Sequence, residues 1–350
     1  MRVLIISDAW EPQVNGVVRT YQSIIHELSA MGHVVRVIGP HEFDWTIPMP
    51  GYPEICLVLR PRRRLYEKMN DFHPDALHIA TEGPLGFAAR AWAKNRNFPF
   101  TTAYHTDFPQ YIHARLRKFS FHFAEWWRKK TIKVLRRFHN TSACIMVSTA
   151  GLQETLTKQR FTAPMGIMTR GVDINIFRPD GPKAILPKGF ETTGPIALYV
   201  GRIATEKNLD AFLDIPWDGQ KVVVGDGPLR PAFKQKYPHI FFAGLQTGHD
   251  LAAYYRMADV FVFPSRTDTF GIVLIEAMAC GLPIAAYPVQ GPIDIITSPH
   301  LGVLDSDLAH ACRAALSCGS ADQRATHANT HYTWRKAAEQ FIGHHRFKTE

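Results

Sequence analysis

Two carboxylates, Asp268 and Glu276, flank a Phe-Gly pair in the stretch SRTDTFGIVLIEAMACGLPIAA, Ser265 to Ala286. The run before it, ADVFVFPS, is short, β-branched and aromatic, which predicts a buried strand ending at Pro264. GIVLIEAMAC has helical length and composition, and Gly281 and Pro283 stop it. Asp268 therefore falls in a strand-to-helix loop, with Gly271 in the first turn of the helix. Glu276 lies roughly 8 Å further along that axis, at about 1.5 Å per residue. The two acids are too far apart to share a proton. They read as separate hydrogen-bond acceptors on either side of a helix N-terminus, whose free N–H groups and positive dipole end suit a phosphate. A nucleotide sugar carries hydroxyls on both sides of its phosphates and matches this layout. An N-cap aspartate followed by a solvated helical glutamate is the alternative that the residues alone leave open.

The elements that must position these acids follow a repeated pattern. RVLIIS opens the chain as a strand, a helix is predicted from about Val17 to Met31, and HVVRVIG is the next strand. DALHIA, FPFTTAY and ACIMVST continue it, which predicts a doubly wound parallel sheet. The pattern restarts with PIALYVG, QKVVVGDGP and IFFAG, each strand ending at a Gly or polar residue, where open parallel sheets bind ligands. Between the halves, Met165 to Pro195 is rich in Gly and Pro with little periodicity, and the linker is expected there. The expected organisation is an N-terminal domain over 1–170, a second over 171–328, and a closing helix within 329–350.

Composition bounds the class. A chain of 350 residues can bury two cores. The opening MRVLIISDAW reaches Asp8 too soon for a secretory leader, and no apolar run is long enough to span a bilayer. Five scattered cysteines without a CxxC pair fit a reduced cytoplasm. The 17 histidines lack zinc-ligand spacing, so no metal site is expected.

The net charge of +9 is concentrated in one segment. Tyr111 to Asn140 holds nine basic residues (Arg115, Arg117, Lys118, Arg128, Lys129, Lys130, Lys133, Arg136, Arg137) against Glu125 alone, a net +8. Phe119, Phe123, Trp126, Trp127 and Phe138 are interleaved with them, and RPRRR from Arg60 to Arg64 adds charge to the same half. Such a face suits an anionic membrane surface. Nucleic acid would need a recognised motif, and there is none, so no nucleic-acid partner is expected. The plainer alternative is a solvated basic helix that packs its aromatics into the core.

In their order here, GRIATEKN, GDGP, FFAG, RGVDINIFRP and above all ADVFVFPSRTDTFGIVLIEAMACGLPIAA resemble the second domain of retaining GT-B glycosyltransferases of family 4. NGVVRT and AYHTDFPQY resemble parts of the first domain, so the resemblance covers nearly the whole chain. It implies an α/β fold with two Rossmann-like doubly wound parallel-sheet domains facing a cleft. The first domain would bind acceptor and the second a nucleotide sugar, with no metal or other cofactor required. The closing helix would pack back on the first domain.

Carried over, Glu276 stands at the glutamate expected to accept from ribose hydroxyls. Asp268 stands where a glutamate is usual, near the donor sugar, and is one methylene shorter. Phe270, Gly271 and Ile272 would offer backbone N–H groups to phosphate and sugar. Arg202 and Lys207 match the cationic pair on the diphosphate, with a preorganised electrostatic role. Gly16 resembles the glycine whose backbone approaches the phosphate, His105 the histidine beside the transferred sugar, and Leu245 falls where the base packs. The implied enzyme is a hexosyltransferase using a UDP- or GDP-sugar, cytoplasmic and peripheral to the inner face of the membrane. AYHTDFPQY and the basic-aromatic segment look most like members that glycosylate diacylglycerol or phosphatidylinositol, so the expected acceptor is a lipid, with diacylglycerol favoured, and glycolipid synthesis the expected role. A GDP-mannose-dependent enzyme of surface polysaccharide or lipid-linked oligosaccharide synthesis is the alternative. A non-catalytic, membrane-bound nucleotide-sugar sensor, hinted at by Asp268 in place of the usual glutamate, is the rival from another class.

Overall fold

The structure is a computed structural model that describes the chain apart from residues 12–15, 50–51, 106–108, 111–115, 117–119 and 346–350. It divides into two compact units, Met1–Arg170 with Trp334–Glu350, and Gly171–Thr333.

The first unit is built on six parallel strands in the order β2-β1-β5-β6-β7-β8. These are β1 Arg2–Ile6, β2 Val34–Ile38, β5 Ala76–Ile79, β6 Phe100–Ala103, β7 Cys144–Val147 and β8 Met165–Ile167. A separate antiparallel hairpin, β3 Thr46–Met49 and β4 Tyr52–Val58, follows β2. Val3 to Ile6 are fully buried, as continuous apolar strands covered on both faces must be. The helices are α1 Gly16–Ala30, α2 Arg62–Phe72, α3 Pro84–Asn95, α4 Phe121–His139 and α5 Ala150–Lys158. In α1, Val18, Tyr21, Ile24 and Leu28 recur every three or four residues, and this stripe is buried. The last helix, Trp334–Gly343, shares a core with it through Ala338 and Phe341.

The second unit repeats the design with strand order β11-β10-β9-β12-β13-β14, again all parallel. Its strands are β9 Ile196–Val200, β10 Gln220–Val224, β11 Phe241–Gly244, β12 Val260–Phe263, β13 Ile284–Ala286 and β14 Gly302–Leu304. Its helices are α6 Asp210–Leu213, α7 Arg230–Lys236, α8 Gly248–Met257, α9 Ile272–Ala279, α10 Pro292–Ile295, α11 Leu308–Ala315 and α12 Ala321–His331. The chain leaves β9 to one side for β10 and β11 and returns to its other side for β12. This reversal creates a switch point outside the carboxyl ends of β9 and β12.

One expectation is corrected. The stretch Met165–Pro195 is not a linker as a whole. It begins with β8, and its later part is fastened to the second unit. Buried Arg256 donates from Nε to the Pro182 carbonyl (2.8 Å), and Ala184 N–H to the Ala253 carbonyl (3.0 Å). The segment lacks periodicity because a buried guanidinium satisfies its carbonyls instead of a sheet or helix ladder.

Candidate active site

Arg202 and Lys207 lie in the loop after β9, and Asp268 in the loop after β12, so the switch point brings them together. Three hydrogen bonds stitch the two loops. Asn208, in the left-handed conformation at φ +54°, donates from Nδ2 to the Pro264 carbonyl (3.0 Å). Thr267 Oγ1 donates to the Glu206 carbonyl (3.4 Å), and Lys207 Nζ donates to Asp268 Oδ1 (2.6 Å). Burial pushes the Asp268 carboxyl up, but the Lys207 charge and its hydrogen bond outweigh it and hold the group below the ordinary carboxylate range. The Ser265 hydroxyl adds a smaller lowering from outside hydrogen-bonding geometry. Asp268 Oδ2 and Ser265 Oγ are buried and have no hydrogen-bond partner among the described residues. Arg202 is exposed, and its carbonyl accepts from the buried Tyr199 hydroxyl (2.9 Å), which fixes the turn leaving β9. The GDGP loop runs against this turn so closely that a Cβ at Gly225 would lie 2.0 Å from the Gly201 carbonyl oxygen. Only glycine fits there.

Glu276 is buried on α9, and Tyr255 of α8 donates its hydroxyl to Glu276 Oε2 (2.9 Å). No sign of this contact is legible in the sequence, because a tyrosine in DLAAYYRMA carries no local mark of what it faces. Phe270, Gly271 and Ile272 lead into α9, whose first N–H groups have no intrahelical partner. Gly271 adopts φ +92°, and a Cβ there would meet Phe263 at 3.1 Å and Leu274 at 3.2 Å. The Phe270 side chain itself is core, packed edge-on against Tyr332 with centroids 5.9 Å apart. Leu245 follows β11 and is 65% exposed.

In the first unit, Gly16 is the first residue of α1, and a Cβ there would meet nothing within 4 Å. Tyr21, five residues on in the same helix, reaches His105 beyond the end of β6, with its hydroxyl 2.7 Å from His105 Nε2. The other ring nitrogen, Nδ1, is 2.8 Å from Arg170 Nη2. Burial, with Arg170 next, drives the His105 imidazole well below its ordinary value. The motif AYHTDFPQY continues past His105 through Thr106–Phe108 and Tyr111, which lie outside the described residues. Tyr21 and Arg170 were not legible as partners, being 84 and 65 residues from His105.

The basic segment is α4, with Ser120 capping it by accepting from Phe123 N–H (3.4 Å). Ala124, Leu135 and Phe138 are buried, whereas Phe123, Trp126, Trp127 and Val134 are exposed. Of the aromatics expected here, only Phe138 is core among the described ones; Phe119, Arg115, Arg117 and Lys118 lie outside the described residues. At 100° per residue, Trp126, Lys130, Lys133 and Arg137 share the exposed face, with Phe123, Trp127 and Val134 beside them. Lys130 Nζ stands 5.1 Å from the Trp126 ring centroid. Arg128 is instead spent on Glu125, at 2.7 Å. No helix is long and apolar enough to cross a membrane, and no cluster of three or more His, Cys, Asp or Glu is arranged to hold a metal, both among the described residues.

Comparison with known proteins accords with this fold. Residues 14–176 match the model of Glycosyltransferase Family 4, and residues 194–317 that of Glycosyl transferases group 1. A GDP-mannose-dependent alpha-mannosyltransferase of Corynebacterium glutamicum is 30% identical over 87% of this chain and 76% of its own length. An alpha-monoglucosyldiacylglycerol synthase of Acholeplasma laidlawii is 28% identical over 81% of this chain and 79% of its own. Among solved structures, sucrose-phosphate synthase from Thermosynechococcus elongatus superposes with TM-score 0.71 at 22% identity, covering 98% of this chain and 97% of that one. Two Rossmann-like units with these sequence blocks define a glycosyltransferase of the GT-B class. The chain belongs to the family 4 glycosyltransferases.

Proposed function

We propose that this enzyme transfers a hexose from a UDP- or GDP-sugar, with retention at the anomeric carbon, to a lipid acceptor at an anionic membrane surface. The observation that carries the acceptor class is the outward face of α4, where exposed tryptophans stand among lysines and arginines. Diacylglycerol is the favoured acceptor, and the glucosyldiacylglycerol synthase among the relatives supports it. A GDP-mannose donor is the second reading, favoured by the name of the 30% identical mannosyltransferase.

In this reading Arg202 and Lys207 neutralise the diphosphate as the glycosidic bond breaks, without a metal or other cofactor. Their charge is worth most on the leaving group, where negative charge develops. Glu276 accepts from the ribose hydroxyls, and the N–H groups of Phe270, Gly271 and Ile272 face the phosphates and sugar. The unpartnered Oδ2 of Asp268 supports its use as an acceptor for a sugar hydroxyl. Gly16 takes the phosphate side of the first unit, His105 stands beside the transferred sugar, and Leu245 borders the base. The leaving phosphate helps to deprotonate the acceptor. Docking of α4 on the inner face of the membrane keeps the enzyme peripheral.

Incubation of the purified protein with a panel of nucleotide sugars against diacylglycerol, phosphatidylinositol and oligosaccharide acceptors, read by mass spectrometry, tests the reading. A hexosylated lipid is expected. Transfer to oligosaccharide alone would overturn the lipid assignment.

A further inference from the structure

The first unit contains a run of buried polar side chains that extends well beyond His105. Arg170 Nη2 is 2.8 Å from His105 Nδ1, and His105 Nε2 is 2.7 Å from the Tyr21 hydroxyl. The Tyr21 hydroxyl is 2.6 Å from His78 Nε2, and His78 Nδ1 is 2.7 Å from Thr101 Oγ1. Thr101 Oγ1 is 3.0 Å from His345 Nε2, and His345 Nδ1 is 2.8 Å from the Phe341 carbonyl oxygen. Tyr21, His78, Thr101, Arg170 and His345 are all buried, and the Phe341 ring stands edge-on to His78 at 4.9 Å.

Donor and acceptor bookkeeping leaves one solution. A guanidinium only donates and a carbonyl only accepts, while a neutral imidazole, a phenol and a threonine hydroxyl each have one proton to give. Arg170 therefore requires His105 Nδ1 to accept, which puts the His105 proton on Nε2, donated to Tyr21. The Tyr21 proton then goes to His78 Nε2, so His78 carries its own on Nδ1 and donates to Thr101. Thr101 donates to His345 Nε2, and His345 donates from Nδ1 to the carbonyl. Read backwards from Phe341, the assignment is the same. On His105 a second proton would set donor against donor at Arg170 and break that link. On His78 or His345 it would make the adjoining hydroxyl accept twice and strand that hydroxyl's own proton. On His105 it would also face the Arg170 charge.

We infer that this one-directional chain holds the His105 imidazole neutral with its proton on Nε2, and that Arg170, Tyr21 and His78 are positioning residues for His105. Both ring nitrogens are committed inside the unit, so the ring is no general base for the acceptor. Its task is to fix the backbone where the chain leaves β6. Burial agrees, driving His78 and His105 well below the ordinary imidazole value and His345 down to about 4. Arg170, lowered by burial only to about 10, remains a charged donor at neutral pH.

The effect on transfer rests on the placement of His105 beside the sugar; the proton positions do not, and the two can fail separately. Nitrogen-15 NMR of histidine-labelled full-length protein, assigned with single His→Gln variants, reads the protons directly. His105 should show Nε2–H, and His78 and His345 Nδ1–H, all three neutral at pH 6. A His105 with Nδ1–H, or one protonated at pH 6, overturns the inference. In Arg170→Met the opposing donor and charge are gone, so His105 should protonate at higher pH than in wild type, and Arg170→Lys should restore the low value. An unchanged titration in Arg170→Met also overturns it. Tyr21→Phe should lower kcat tenfold or more while nucleotide diphosphate affinity stays within twofold. Full turnover in a folded Tyr21→Phe protein would remove the positioning role. If that variant does not fold, the Arg170 pair carries the test.

Discussion

Lys207 Nζ donates to Asp268 Oδ1 at 2.6 Å, joining two loops that leave neighbouring strands at the switch point of the second sheet. The lysine is therefore preorganised by an acid that needs it. Lys207→Ala or Arg202→Ala should cut turnover by about two or more orders of magnitude, as loss of a transition-state charge contact does. Lys207→Ala should also reverse the sign at its partner. Burial alone would push the Asp268 carboxyl above its ordinary 3.8, which carbon-13 NMR of the carboxyl would read. A carboxyl that stays low in that variant, with near-wild-type turnover, would contradict the clamp.

Glu276 and Asp268 should separate in calorimetry with nucleotide diphosphate alone. Glu276→Ala should weaken the nucleotide as well as the donor, whereas Asp268→Ala should spare the nucleotide and damage transfer. Tyr255→Phe removes a hydrogen bond to a carboxylate, worth about 1.5–3 kcal/mol. A tenfold weakening of nucleotide is the expected order for that variant. Equal losses in Glu276→Ala and Asp268→Ala would refute the division.

Acid should weaken the first unit. His78, His105 and His345 are buried neutral with values below 6.5. The unfolded chain therefore binds their protons first, and stability is lost as pH falls below about 6.5. For His345 alone, lowered to about 4, the loss is on the order of 3 kcal/mol. Asp8 opposes this. Burial outweighs its hydrogen bonds from Leu85, Gly86 and Thr81 and raises it to about 6, so the fold gains as pH falls from about 6 towards 3.8. Three rings against one carboxyl leave a net loss. Exchange of the β1 and β5 amides should quicken between pH 7 and 5 after correction for intrinsic rates, and a flat profile would rule the balance out.

The fold and the gathering of Lys207 and Asp268 at one end of the second sheet were legible for a shared reason. Strands such as VFVF and IALYV and the acids around Phe-Gly carry their meaning in local order, and a parallel sheet puts strand ends and ligands in the same place. What could not be read was lateral. Tyr255 under Glu276, Asn208 tied to Pro264, and the side-chain links of the polar chain behind His105 join residues 21 to 244 positions apart. Such contacts leave no spacing in one sequence. The Met165–Pro195 stretch misled as a linker because aperiodic backbone held by a buried arginine looks like loose chain.

The face of α4 makes the last prediction. Its buried side already supplies a packed core through Ala124, Leu135 and Phe138, so the exposed Trp126 and Trp127 are not needed to hold the helix. Exposed tryptophans beside Lys130, Lys133 and Arg137 match a bilayer interface, where rings sit among headgroups and cations meet anionic lipid. Each basic residue near such a surface contributes about 1 kcal/mol, so changing Lys129, Lys130, Lys133, Arg136 and Arg137 to Gln should nearly abolish binding. Trp126→Ala with Trp127→Ala should weaken it through lost apolar contact while keeping the salt dependence. The attraction should fade in salt, since the Debye length falls from ~10 Å at 0.1 M to ~3 Å at 1 M. Vesicle sedimentation decides the matter. Stronger binding to anionic than neutral vesicles is expected, lost in the five-residue variant and at high salt. If wild type stays in the supernatant with anionic vesicles, α4 is a solvated helix with exposed rings. The lipid acceptor would then give way to a soluble or oligosaccharide one.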